Sequence, residues 1–133
     1  MPGLEGTTLG RYRLVRRLGH GGMSEVYLAY DESMHREVAI KVVSGSHADY
    51  LARFQREAEA IGTLHHDHIL PAYDYGEQGP WHYLVMPYIG HGTLRDRLES
   101  GPLTLPDAGE MLEQVASALQ TAHDEGIIHR DIK

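Results

Sequence analysis

Cysteine is absent from the 133 residues. That excludes a disulfide framework and any zinc site built on thiolates, and it suits a reducing compartment such as the cytoplasm. Long apolar runs are absent as well: no stretch approaches the ~20 consecutive residues that span a bilayer. The opening MPGLEGTTLG has neither the basic n-region nor the apolar core of a secretory signal. Pro2 stands where N-myristoylation requires glycine. Basic charge is scarce, with 12 Lys and Arg against 19 Asp and Glu and a net charge of −7. Such a balance argues against nucleic-acid binding and against a polybasic membrane patch. It leaves open a nucleotide or a protein partner, which respond to local fields. The length suffices for one domain with its own core.

What is present reads as strands first and helices later. RYRLVRRL and SEVYLAY mix β-forming residues with partial alternation, and Gly19, Gly21 and Gly22 lie between them. REVAIKVV is a third strand, entered through a polar turn at Asp31 to Arg36. In ADYLARFQREAEAIGTLH, Leu51, Phe54, Ala58 and Ile61 recur at helical spacing. LPAYDYGEQGPWHYLVM reads as two strands around a Gly/Pro turn. Beyond Pro87 the pattern is helical. Thr93 and Asp96 form a capping-box pattern ahead of LRDRLES. In LPDAGEMLEQVASALQTAHDEG, one face carries Ala108, Met111, Leu112, Val115, Leu119 and Ala122, and Gly126 marks the stop.

Three segments carry chemistry. LGHGGMSEV, Leu18 to Val26, is a glycine cluster between two strands. Glycines let backbone approach phosphate closely. A Rossmann loop would open a helix, and a P-loop needs Gly-Lys-Ser/Thr, so neither fits. A plain Gly-rich hairpin turn is the alternative at this point. VAIK, Val38 to Lys41, puts an ammonium among apolar strand residues, where it needs an anion as partner. The helix that follows offers Glu57, with Glu59 two positions on and facing elsewhere. Finally GIIHRDIK crowds His129, Arg130, Asp131 and Lys133 into the last five positions.

Glycine loop, VAIK, acidic helix and H-R-D occur in the order and spacing of the protein kinases. Over residues 9 to 133 the chain resembles the N-terminal lobe and first C-lobe helices of a bacterial, eukaryotic-like serine/threonine protein kinase. GGMSEVYLAYD is especially similar to that branch. The resemblance implies an α+β fold: a flexible lead-in at 1–8, a kinase N-lobe at 9–86 with a five-stranded antiparallel sheet and one helix, a hinge at 87–92, and the start of a helical C-lobe at 93–133. It implies ATP-dependent phosphoryl transfer to Ser or Thr of protein substrates, with Mg2+, in the cytoplasm.

Residue by residue, the resemblance assigns phosphate contacts to the loop Gly19, His20, Gly21, Gly22, Met23 and Ser24, the last in place of the family's third glycine. Leu18, Val26 and Ala39 would pack on adenine. Met86 matches the gatekeeper, and Pro87, Tyr88 and Ile89 match the hinge, whose main chain pairs with the base. Lys41 would orient the phosphates, and RFQREA favours Glu57 as its carboxylate. Asp131 matches the base that accepts the substrate hydroxyl proton, with His129 a packing residue and Arg130 a partner for an activation-loop phosphate. Lys133 resembles the lysine that contacts the γ-phosphate in serine/threonine kinases.

The family holds Mg2+ on an Asn five residues after the catalytic Asp and on the Asp of D-F-G, and both positions fall past Lys133. The expectation is therefore a chain cut within its catalytic loop and inactive by itself, with an apolar helix face left uncovered and a membrane anchor conceivable further on. The alternative is a kinase-lobe fragment acting as a regulatory or pseudokinase-like nucleotide module, with pairing through N-lobes as a route. His65, His66 and His68 in LHHDHIL suggest a metal cluster, but His66 matches a family histidine. Tyr73, Tyr75 and Trp81 are expected in core and edge packing.

Overall fold

The computed structural model describes residues 3–21, 24–46, 48–90 and 92–127. They divide into two units, one of Met1–Thr63 with Pro71–Tyr88, the other of Leu64–Leu70 with Ile89–Lys133.

The first unit is a six-stranded antiparallel sheet in the order β1-β2-β3-β4-β6-β5. The strands are β1 (Thr8–Leu9), β2 (Tyr12–Gly21), β3 (Ser24–Asp31), β4 (Arg36–Ser44), β5 (Asp74–Gln78) and β6 (Trp81–Pro87). Alternation along the strands gives the sheet two faces. One carries Tyr12, Leu14, Tyr27, Ala29, Val38, Ile40, Val42, Tyr83 and Val85, all buried in one apolar cluster. The other carries Val43 and Leu84, and helix α1 (Ala48–Gly62) packs there through Phe54 and Ala58.

The sheet curls until its two outer edges meet. Gln78 on β5 accepts from the Gly10 amide at 2.8 Å and donates to the Thr8 carbonyl, also at 2.8 Å. Its amide thus offers one donor and one acceptor to the β1–β2 turn, where Gly10 takes φ +59°. The apolar cluster lies on the inside of this curl.

Two details differ from the sequence expectation. The sheet has a sixth strand, and residues 3–8 are docked rather than a loose lead-in. Leu4 and Leu9 are buried in the cluster inside the curl. Gly6 donates to Leu14, and Leu14 in turn donates to Thr7. Two leucines spaced among polar residues gave no alternation to read, yet their burial stabilises the segment by roughly 1.5–3 kcal/mol per side chain.

The turn between β3 and β4 is built by Asp31, whose Oδ1 accepts from the Ser33 and Met34 amides. His35 closes it with φ 53°.

In the second unit, α2 (Leu94–Glu99) opens with the expected capping box. The Thr93 hydroxyl accepts from the Asp96 amide, and the Asp96 carboxylate accepts from the Thr93 amide. Helix α3 (Leu105–Asp124) starts at Thr104, whose hydroxyl accepts from the Asp107 amide. It stops at Gly126, φ +80°, with Gly126 N–H donating to His123 and Ile127 N–H to Ala122. That pair of bonds is a Schellman motif. Ala108, Met111, Leu119 and Ala122 on the expected face are partly buried, whereas Leu112 and Val115 are exposed. Among the described residues no helix is long and apolar enough to cross a membrane.

Candidate active site

Four of the candidate residues, Val26, Ala39, Lys41 and Met86, share the α1 face of the sheet, whereas His20, paired with Glu25, and Pro87, paired with Val38, belong to the other face. Val26 on β3 stands opposite Lys41 on β4, and Lys41 opposite Leu84 on β6. One step along, Leu28 stands opposite Ala39, and Ala39 opposite Met86. Cross-strand partners share a face. Val26, Ala39, Lys41 and Met86, far apart in sequence, therefore form two adjacent rows. Leu28, buried in the second row, was missed by motif matching. The signal was there, because it lies two residues from Val26 on the same strand.

The glycine segment is the hairpin that ends β2 and begins β3. Gly19 pairs with Val26, His20 with Glu25 and Gly21 with Ser24, and the register shifts between Arg17 and Gly19. Ser24 is buried and its hydroxyl donates to the Gly21 carbonyl at 3.4 Å. Added side chains at Gly19 or Gly21 would meet nothing within 4 Å. Packing within the described residues therefore does not require glycine at either position. Leu18 is exposed at the shift. Gly22 and Met23 lie outside the described residues.

The Lys41 ammonium sits 5.8 Å from the centroid of the Phe54 ring on α1. Among the described residues no carboxylate lies within 4 Å of it, and Glu57, one turn on from Phe54, faces solvent. The structure brings Lys41 to the site and does not join it to Glu57. Pro87 closes β6 opposite Val38, and Tyr88 follows, half-buried. Ile89 belongs to the second unit and is exposed. His129, Arg130, Asp131 and Lys133 lie outside the described residues.

Two of the histidines of LHHDHIL, His66 and His68, are put to local use, and His65 is exposed. His68 N–H donates to His66 Nδ1 at 2.9 Å, which leaves Nε2 to donate to the Ser117 hydroxyl on α3, again at 2.9 Å. Tyr75 packs on Phe54, and Trp81 flanks the inner cluster. Tyr73 lies under the Arg36 guanidinium, 4.0 Å from its ring centroid.

The sequence profile of the protein kinase domain matches residues 12–133. The chain belongs to the protein kinase family. It is 44% identical over 132 residues to the serine/threonine-protein kinase PknD of Mycobacterium tuberculosis, covering 96% of this chain and 20% of that protein. It is 42% identical over 128 residues to the serine/threonine-protein kinase PrkC of Bacillus subtilis, covering 93% of this chain and 20% of that protein. Its fold matches a crystal structure of the Mycobacterium tuberculosis PknI kinase domain with a TM-score of 0.80 at 32% identity. That match covers 97% of this chain and 54% of that one. The chain thus spans about a fifth of the length of these curated relatives.

Proposed function

We propose that the protein transfers the γ-phosphate of ATP to serine or threonine in protein substrates, and that residues 18 to 89 supply most of its nucleotide site. The observation that supports this is the register. Two adjacent rows, Val26 on β3 with Lys41 on β4 and Leu28 on β3 with Ala39 on β4 and Met86 on β6, set an ammonium beside apolar side chains and next to a glycine hairpin. A flat apolar wall suits a purine, and the ammonium and the hairpin amides suit phosphate. The hinge main chain at Pro87 to Ile89 is taken to pair with the base. Pro87 brings no N–H, so its carbonyl and the polar groups of Ile89 do that work. Asp131 and Lys133 enter by resemblance, as the base for the substrate hydroxyl and the contact for the γ-phosphate.

Among the described residues no three His, Asp or Glu side chains converge to hold a metal ion. The Mg2+ that accompanies ATP in this family is assigned no ligand within them, and residues 1 to 133 tested alone are expected to be inactive. The kinase segment is placed in the cytoplasm, in line with its lack of cysteine, and pairing of two N-lobes remains part of this proposal.

The test is phosphoryl transfer from ATP to a protein substrate by the full-length protein. Transfer to Ser/Thr that disappears in Asp131→Asn supports the reading. A folded, nucleotide-bound protein with no transfer to any protein would favour the second reading, a regulatory or pseudokinase-like module.

A further inference from the structure

Glu25 follows Ser24 in the glycine hairpin, but its side chain is turned to the opposite face from Val26 and Lys41. It is only 6% exposed. A carboxylate on an apolar face is costly unless it is partnered. Tyr27 donates its hydroxyl to Glu25 Oε2, and the Arg17 guanidinium lies 3.6 Å from Oε1. The Tyr27 hydroxyl itself accepts from the Leu4 amide at 3.2 Å.

These partners lie on different rungs of the β2–β3 ladder. Glu25 is opposite His20, near the turn, while Arg17 and Tyr27 are opposite each other further down. The register shift between Arg17 and Gly19 falls between the two rungs. Such irregularities, with glycines at Gly19 and Gly21, are where a hairpin bends most readily. Glu25 spans the bend from behind, and Leu4, fixed in the core, anchors the far end.

We propose that Glu25 is a positioning residue for the phosphate-binding hairpin. Through Arg17 and Tyr27 it holds the arms at Gly19 to Gly21 and at Ser24 at the spacing that receives the phosphates of a nucleoside polyphosphate. This rests on the nucleotide reading above. The adenine wall at Ala39 and Met86 lies on the other face and on other strands, so Glu25 acts on phosphate affinity separately from nucleoside affinity.

Titration calorimetry of the intact protein with adenosine and with ADP separates the two. Glu25→Gln and Tyr27→Phe should each weaken ADP by about two- to tenfold, the cost of ordering one or two further side chains on binding, with adenosine unchanged. Val42→Ala is the control. Val42 is buried opposite Glu25 on the same face, outside the brace, so its loss should lower the melting temperature and leave the ADP-to-adenosine ratio at the wild-type value. A wild-type ratio in folded Glu25→Gln overturns the inference, as does an equal change of ratio in Val42→Ala. If Glu25→Gln does not fold, Tyr27→Phe decides by the same criterion. A wild-type protein that binds neither ligand overturns the nucleotide reading and this inference together.

Discussion

The Tyr12 hydroxyl on β2 donates to Asp74 Oδ2 on β5 at 2.9 Å, across strands that are four places apart in the sheet order. The bond exists because the sheet curls, and with the Gln78 clasp it holds the curl shut. Tyr12→Phe should cost about 1 kcal/mol, the usual net worth of such a bond, since the half-exposed Asp74 regains water. Its pH dependence is more telling. Burial, followed by the hydrogen bond to Asp74, pushes the Tyr12 phenol up to about 12, from an ordinary value of 10.0. The folded state then keeps a proton that the unfolded state loses, so this stabilisation is complete below pH 10 and disappears as pH rises through about 12. Urea midpoints for wild type and Tyr12→Phe should therefore converge between those two values. A constant gap would show that the phenol titrates alike in both states.

Asp31 gives the opposite limb. Burial alone would raise its carboxyl, but the Met34 and Ser33 amides, then Arg11 and Arg36, outweigh burial and hold it below the ordinary carboxylate value. A depressed folded value means that stabilisation is present above the unfolded value and is lost as pH falls through the folded one. Asp31→Asn should cost about 1–3 kcal/mol at neutral pH, because a buried charged acceptor is replaced by a neutral one. The gap to wild type should close below about pH 4, where the unfolded carboxyl takes up its proton. Denaturant titrations of both proteins from neutral pH down to acid measure it.

Much of this was legible in the sequence, for local reasons. Thr93 and Asp96 predicted a capping box because the motif lies within one turn. REVAIKVV predicted a strand because its β-branched residues follow a polar turn, which is a local signal. The docking of residues 3–8 left no local signal, because Leu4 is buried inside a curl closed by Gln78, some seventy residues away. Leu28 shares a strand face with Val26, which period-2 spacing shows, but its alignment with Ala39 and Met86, like the partners of Glu25, is not a local property. Those placements come from register with β4 and β2, between residues distant in the sequence. The separation of Lys41 from Glu57 was also hidden, since the set of helix α1 on the sheet is fixed by Phe54 and Ala58 rather than by the two charged residues.

Gly126 offers a test of the second unit that is independent of any ligand. Its φ of +80° is unfavourable for a side chain, although nothing lies within 4 Å of an added Cβ. Gly126→Ala should therefore destabilise through backbone strain alone, by about 1 kcal/mol. Loss of helical signal at a lower temperature than wild type, by circular dichroism, is the expected result. An unchanged melt would mean that α3 frays before Gly126 matters.

The last prediction concerns Lys41 and Glu57. With the ammonium 5.8 Å from the Phe54 ring centroid, no ion pair between Lys41 and Glu57 among the described residues, and Glu57 in solvent, the two charges act separately in this arrangement. If the lysine orients phosphate by itself, Lys41→Met should reduce transfer by the full-length protein by about a hundredfold or more, since a preorganised charge at the phosphates is lost. Adenosine affinity should be unchanged, because the proposed base contacts are along Ala39 and Met86. Glu57→Gln discriminates further. An active state in which α1 shifts to bring Glu57 to Lys41 requires the carboxylate, and the variant should then lose about ten- to a hundredfold in kcat, with little change in adenosine binding. In that case a crystal structure with a bound ATP analogue should show the two side chains within about 4 Å, the ordinary limit for an ion pair. A wild-type rate in Glu57→Gln would leave Glu57 a solvent-facing residue and assign the orientation of Lys41 to Phe54 and the phosphates.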